Sequence, residues 1–472
     1  MYMTDYFELF NINKDQLILL MEEALSSGGE YADIFCEYSM QEVLALRDGE
    51  VNSIRNDIDF GAGIRVIRNG RTGYAYSEST DIRHLQAAAQ AAARIAESPA
   101  GDRKKIPFTP LKLADYYSRT HSSADVDVFS KKGYLKEIHT KLSEGDGRIV
   151  QIIGQSSSSL SKIMFFNSLG EFYCDERPLS SVAFTAVFSR DGVTDNYTSS
   201  KSFRMGNEMF TPALADEIVN EILEAIPTVL EAVRPQGGEM MVVMGAGGSG
   251  ILLHEAIGHA FEADFNRKGI SIFSDKMGKK ICSEVISIAD DATIPANRGS
   301  LNVDDEGVPG QKTMLIKEGV LTSYLHDRIS AKHYKVVPTG NGRRESFRFE
   351  PLPRMRATYM ENGSATSEDI ISGVRKGIYV DKFRNGQVKI GAGDFTFFVK
   401  SGRMIENGHL TRPIKDINII GNGPRALADI LEVASDGKME DGTWTCGKGQ
   451  QCPVSCGMPT VLVKSLTVGG SN

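Results

Sequence analysis

Two histidines at an awkward spacing restrict this chain more than any other feature. In the stretch SGILLHEAIGHAFEADF, from Ser249 to Phe265, His254 is followed at once by Glu255, and His259 lies five positions after His254. Histidines four apart on a helix sit about 40° apart round its axis and can share one metal ion, as in the HExxH helices of metalloproteases. At five apart the separation is about 140°, and the rings face different ways. They can meet only where the helix gains a residue, as in a π-bulge, or breaks. Gly258, just before the second histidine, would ease either distortion. The chain holds eight histidines in 472 residues. Two of them flanking a glutamate within six positions read as a metal site rather than as unrelated core residues.

Two imidazoles do not complete a catalytic zinc site, which usually takes three protein ligands and leaves a position for water. Candidates for the third are Glu262, three residues past His259, and one of Cys446, Cys452 or Cys456. A carboxylate would serve. A thiolate makes a softer set that favours zinc. Spacing leaves both open. Zinc lowers the pKa of its water toward about 7, and Glu255, beside a ligand, is the candidate base that takes the proton and passes it to a leaving amine.

A competing motif occupies the same place. EMMVVM (239–244) runs into GAGGSG (245–250) and then the helix, matching G-x-G-x-x-G at Gly245, Gly247 and Gly250, with Asp275 as a candidate ribose acid. That is the fingerprint of dinucleotide binding. The helix, however, carries two histidines and a glutamate that such a helix has no use for, and no further strand–helix alternation follows. The preferred reading gives the glycines to close backbone approach, with Gly247 and Gly248 as candidate substrate contacts.

The rest of the chain reads as α+β. Helical spacing over 14–27, strands over 31–77 and a helix over 80–97 recur as a helix over 125–144, strands over 148–204 and a helix over 211–233 that Pro227 would kink. This predicts an N-terminal mixed α/β domain, 1–235, with an internal duplication (14–98 and 125–233). RPQGG at 234–238 reads as a linker. Beyond it, 236–472 predicts a β-rich domain carrying the one distorted zinc-binding helix. Asp304, Asp305 and Glu306 read as a solvated turn, although three adjacent acids would also suit an amine terminus. Arg343, Arg344 and Arg354 would suit a carboxylate terminus. His326, His333 and His409 read as structural, and Trp444 as packing beside Cys446.

Composition excludes several classes. Net charge is −8, and the only basic run, RKK at 103–105, is short; no nucleic-acid footprint is expected. No apolar run reaches the 18 or more residues of a membrane span. The opening MYMTDYFELFNINKDQ has acids and no basic leader, so a secretory signal is not expected. Six scattered cysteines do not make a secreted disulfide framework, which points to a reducing cytoplasm.

HEAIGHAFEAD, with the glycines before it, resembles the TldD branch of the TldD/PmbA peptidases, also known as modulators of DNA gyrase. The resemblance continues in order through GSLNVDDEGVPGQ (299–311), TGNGRRESF (339–347), PLPRM (351–355), GIYV (377–380), IENGHLTRPIK (405–415), IGNGP (420–424) and CGKGQ (446–450). It spans the whole chain, tightly over 239–472 and loosely before. It implies a zinc metallopeptidase with ligands His254, His259 and Cys446 and with Glu255 as general base. Cys446 is thereby chosen over Glu262. It also implies a dimer, with a sister subunit of PmbA/TldE type or with a second copy, enclosing a chamber that admits unfolded peptides. Backbone pairing to a sheet edge would explain tolerance of sequence. The rivals are a non-catalytic assembly subunit, against which the intact His254, Glu255 and His259 speak, and a nucleotide-dependent oxidoreductase acting through GAGGSG.

Overall fold

In a computed structural model, residues 3–95, 105–117, 128–389 and 392–469 are described. The expected helix ends at 96–97 and 125–127, and Arg103 and Lys104 of the basic run, lie outside them. The first half contains helices α1 (Met3–Phe10) and α2 (Lys14–Ala24), strands β1 (Tyr31–Arg47), β2 (Glu50–Arg68) and β3 (Arg71–Ser77), and α3 (Ile82–Ala93). It continues with α4 (Val128–Gly145), β4 (Ile149–Asn167), β5 (Glu171–Arg190), β6 (Val193–Phe203) and α5 (Pro212–Glu231), which runs through Pro227. The order helix, three strands, helix therefore occurs twice, and the strands form one antiparallel sheet in the order β3-β2-β1-β4-β5-β6. Three of its hairpins turn on Asp48-Gly49, Asn69-Gly70 and Asp191-Gly192, where both residues have positive φ. Such two-residue turns match the twist of the strands they join.

The alternation of side chains gives this sheet two different faces. Even positions of β1, such as Ile34, Cys36, Leu44 and Leu46, are covered by α1–α3 at one end and by α4 and α5 at the other. On the opposite face Phe35, Ile163, Phe165 and Tyr173 pack against Val303 and Phe347 of the second half. The same face carries buried charge. Arg65 pairs with Asp33 and with Glu306 (2.7 Å), Arg177 with Asp305 (2.5 Å), and Arg344 with Asp33 (3.3 Å). Asp304, Asp305 and Glu306 are thus no solvated turn: all three are at most 2% exposed. The partners of Asp305 and Glu306, Arg177 and Arg65, come from strands far away in sequence, which a local reading of polarity cannot reveal, while Asp304 accepts from the N–H groups of Glu306, Val308 and Gly342.

Glu37 sits at this junction and accepts a hydrogen bond from the Phe347 N–H (2.9 Å). Burial pushes its carboxyl up from 4.5 to about 7. The folded state keeps a proton that the unfolded chain releases, so this group's contribution is complete below the unfolded value and is lost as pH rises through about 7. Glu37→Gln should flatten that loss and be the more stable protein at pH 8, by on the order of 1–3 kcal/mol. Urea unfolding at pH 5 and pH 8 checks this; an unchanged difference between the two proteins across that range refutes it.

The second half contains β7 (Gly238–Met244), β8 (Ile288–Asp291), β9 (Lys312–Lys317), β10 (Ala357–Met360), β11 (Lys376–Lys389) and β12 (Asp394–Glu406). β13 (His409–Ile414), β14 (Ile417–Asn422), β15 (Thr445–Gly447), β16 (Gln451–Pro453), β17 (Ser455–Met458) and β18 (Val461–Gly469) follow. β11, β7, β18, β14 and β12 close into a barrel through the β11–β12 pairing, with β13 added on β12. A smaller sheet contains β9-β8-β10-β17, and β15 and β16 form a two-stranded ribbon. Short helices at Arg328–Tyr334, Ser367–Ser372 and Gly423–Ala428 interrupt what the sequence reading took as strands and turns. Each is a turn or two long, too short for periodicity to reveal. Among the described residues no helix is long and apolar enough to cross a membrane.

Candidate metal centre

β7 leaves the barrel through the glycine segment and enters a short helix, Ile251–Leu253, whose three side chains are buried. From His254 to Gly258 the backbone makes one π turn, in which the His259 N–H donates to the His254 carbonyl. The extra residue rotates the second imidazole back toward the first. The rings lie 5.1 Å apart between centroids and 80° apart in plane. Gly258 has ordinary helical angles, φ −57 and ψ −51, so it does not supply backbone freedom. It supplies space, because a Cβ there would collide with the Met355 sulfur.

The ribbon brings Cys446 from 187 residues beyond His259, with Sγ 3.3 Å from Nε2. One donor atom from each of His254, His259 and Cys446 lies within 4.8 Å of the others, and all three residues are buried. Tetrahedral zinc with bonds of about 2.0–2.3 Å needs ligand atoms roughly 3.4–3.8 Å apart, so little adjustment separates this cluster from a closed site. His254 Nδ1 is buried without a hydrogen-bond partner among the described residues. Burial alone would raise the Cys446 pKa, but the His254 and His259 rings bring it down to about 5. The group is chemically a thiolate facing two imidazoles, which suits a borderline-soft divalent ion.

Glu262 does not join the donors. Its Oε2 lies 3.0 Å from His259 Nδ1, on the far side of that ring, and 3.1 Å from Lys448 Nζ. Burial opposes its charge, yet Lys448, His259 and Arg354 together hold its carboxyl down at about 2. A carboxylate on the outer nitrogen fixes the tautomer and aim of a ligating histidine. Glu262→Gln is therefore expected to weaken metal binding by about 10–100-fold without removing the site, as competition with a chromogenic chelator would measure. Unchanged affinity would deny Glu262 this role.

The sequence reading missed Lys448, although CGKGQ contains it. It donates to Asp264 (2.7 Å) and the Pro353 carbonyl (3.1 Å), pinning the ribbon to the metal helix. Arg354, expected to hold substrate, is interior. It donates to the carbonyls of Cys446 (2.6 Å) and Gln450 (3.0 Å). Arg343 donates to the carbonyls of Met355 and Pro453, and Arg344 to that of Asp305. With Asp305 paired to Arg177, these four residues are committed to internal partners. Cys452 faces Cys446 across the ribbon and lies 3.5 Å from Arg354, while burial keeps Cys456 a neutral thiol.

Glu255 is half-buried on the π turn. A cleft of about 1220 Å³ between β6, α5 and the second half is lined by Tyr197, Gly248, Glu440 and Trp444, though by none of the three donors. The other glycines are structural. Gly247 has φ +85, and a Cβ on Gly250 would come within 2.5 Å of the Gly457 backbone. β7 lies in a closed barrel, and the next strand after its helical run, β8, belongs to the smaller sheet, so the strand–helix–strand unit of a dinucleotide site is not formed by this segment.

A buried set of two imidazoles and one thiolate beside a glutamate has the composition of a metal-dependent hydrolase centre. Comparisons with known proteins agree with that class. Profiles described as PmbA/TldA metallopeptidase domain 1, central domain and C-terminal domain match residues 32–96, 121–226 and 237–470. The metalloprotease TldD homolog of Haemophilus influenzae is 34% identical over 98% of this chain and 97% of its own length. The zinc metalloprotease TldD homolog of Saccharolobus solfataricus is 28% identical over 95% of this chain and 99% of its own. Two solved structures share the fold at 21% identity. One, from Thermotoga maritima, is described as a modulator of a DNA gyrase and has a TM-score of 0.79 over 98% of this chain and 100% of its own. The other is TldE of Thermococcus kodakarensis, with a TM-score of 0.75 over 97% of this chain and 99% of its own. The chain belongs to the TldD branch of the PmbA/TldD metallopeptidases.

Proposed function

We propose that the chain is a zinc peptidase of the HExxxH type, with zinc held by His254, His259 and Cys446 and with Glu255 as the general base. The observation that carries this reading is the convergence of those three donors on one point. Bound zinc would supply Lewis acidity toward a scissile carbonyl and acidify the attacking water. Glu255 takes the water's proton on its carboxylate and delivers it to the departing amine. Glu262 holds His259 in place from behind, and Lys448 and Arg354 keep Glu262 charged.

The substrate class is an unfolded peptide or flexible protein segment. The cleft volume exceeds the roughly 300–1,000 Å³ of ordinary small-molecule pockets, which favours a chain over a metabolite, and Gly248 in its lining lets a backbone approach. The fold shared with TldE supports a paired assembly, with a TldE-type subunit or a second copy, that encloses the site. All six cysteines are free thiols, which favours a reducing compartment such as the cytoplasm.

The purified chain, alone and with a TldE-type partner, should bind about one zinc per chain and cleave an unstructured peptide. The same peptide sequence inside a folded domain should survive. Chelation should stop cleavage and zinc restore it. Metal-free protein that binds NAD(H) tightly would reject this function.

A further inference from the structure

Four arginines lie buried where the turn at 296–299 meets the β15–β16 ribbon: Arg204, Arg298, Arg343 and Arg356. Buried ion pairs are made by Arg65, Arg177, Arg344 and Arg354; among the described residues these four make none. Arg298 donates only to neutral groups, the Trp444 carbonyl (2.8 Å), Ser202 Oγ (2.6 Å) and Thr445 Oγ1 (3.2 Å). Arg343 donates only to the carbonyls of Met355 (2.6 Å) and Pro453 (2.7 Å). Thr445 and Pro453 face each other across the ribbon, so both guanidinium groups converge on one end of it. The Arg356 carbonyl accepts from the Ser455 N–H (2.8 Å), which sets its backbone beside the ribbon, and the Arg343 charge acts on Arg356, Arg298 and Arg204 alike. The Arg204 N–H donates to the Ala296 carbonyl (2.8 Å), which sets its backbone at the turn.

Arg356 is the decisive residue. It is 1% exposed, and among the described residues none of Nε, Nη1 and Nη2 has a hydrogen-bond partner; Nε of Arg204 has none there either. The nearby acids are turned elsewhere. Asp290 accepts from Asn341, Thr358 and the Arg356 backbone N–H. Asp304 accepts from the N–H groups of Glu306, Val308 and Gly342, and Asp305 from Arg177 and the Arg344 N–H. Burial, with the Arg343 charge beside it, pushes Arg356 down to about 10 and Arg298 likewise. A buried guanidinium with no acceptor is among the costliest groups a fold can carry. An oxyanion offers the several converging acceptors and the opposite charge that the fork-shaped donors require.

We propose that Arg356 and Arg343, with Arg298 and Arg204 close by, hold one small oxyanion of the phosphate or sulfate class, enclosed behind the ribbon that carries Cys446. The anion would tie the ribbon to the 296–299 turn. The four arginines are distinct from the three metal donors.

The full-length, metal-loaded protein is freed of oxyanions by dialysis into chloride buffer and titrated with inorganic phosphate at constant ionic strength. Saturable uptake of one radiolabelled phosphate per chain is expected, with an unfolding midpoint raised by about 2–4 °C. Arg356→Met should lose both effects while keeping the wild-type circular dichroism. A wild-type crystal soaked in selenate covers the case in which that variant fails to fold: an anomalous peak at the Arg356 guanidinium supports the site. No saturable uptake, or only water at that guanidinium, overturns it.

Discussion

Glu255→Gln is expected to lower peptide turnover by about 10²–10⁴-fold, the usual worth of a positioned general base, while the protein keeps its full complement of zinc. The two results belong together. Glu255 lies beside His254 in sequence but is not one of the three converging donors, so its loss should leave the cluster intact. Glutamine preserves the size and half-buried setting of the side chain and removes only its ability to accept a proton. Zinc content by atomic emission and single-turnover cleavage of an unstructured peptide measure the two quantities. Turnover retained within a few-fold would take Glu255 out of the chemistry. Loss of zinc along with turnover would show that the carboxylate holds the metal instead.

The second large effect concerns the donors. His254→Ala and Cys446→Ala should each bring zinc from about one per chain to near zero, because catalytic zinc with two protein ligands is not held. Peptidase activity should fall to background with it. The fold should persist, since the surrounding core is made by barrel strands such as Val242, Met244, Ile378 and Val463 and not by the donors alone. Acid should have the same result by another route. Without metal, burial works against a charged His259, but Glu262 and Cys446 hold its pKa well above 6.5, while the Cys446 thiol sits at about 5. Zinc must displace the imidazolium proton and needs the thiolate, so affinity should fall as pH drops and collapse below about 5. Zinc retained by Cys446→Ala at wild-type affinity would return the third position to another residue.

What could be read in advance follows the range of the forces involved. The Asp-Gly and Asn-Gly turns at 48–49, 69–70 and 191–192 rest on a positive φ, a demand two residues make on their own backbone. The long amphipathic strands were legible because alternation is local. The histidine pair was legible for the same reason: six consecutive residues contain both rings and the glutamate, and their spacing already demanded a distorted turn. Cys446 was different. Nothing in its own neighbourhood separated it from Cys452 or Cys456, and only the family resemblance chose it.

The amino-acid order by itself thus determined the helix–strand–helix runs and the two-histidine, one-glutamate segment, since each depends on contacts a few residues long. The tertiary structure alone decided the rest. It carried a thiol 187 residues along the chain to within 3.3 Å of His259. It turned Glu262 outward to brace that ring, and it buried Asp305 and Glu306 against arginines of a distant sheet. Charge and ligand pairings act through space across a low-dielectric interior, so no window of sequence, however closely read, contains both partners.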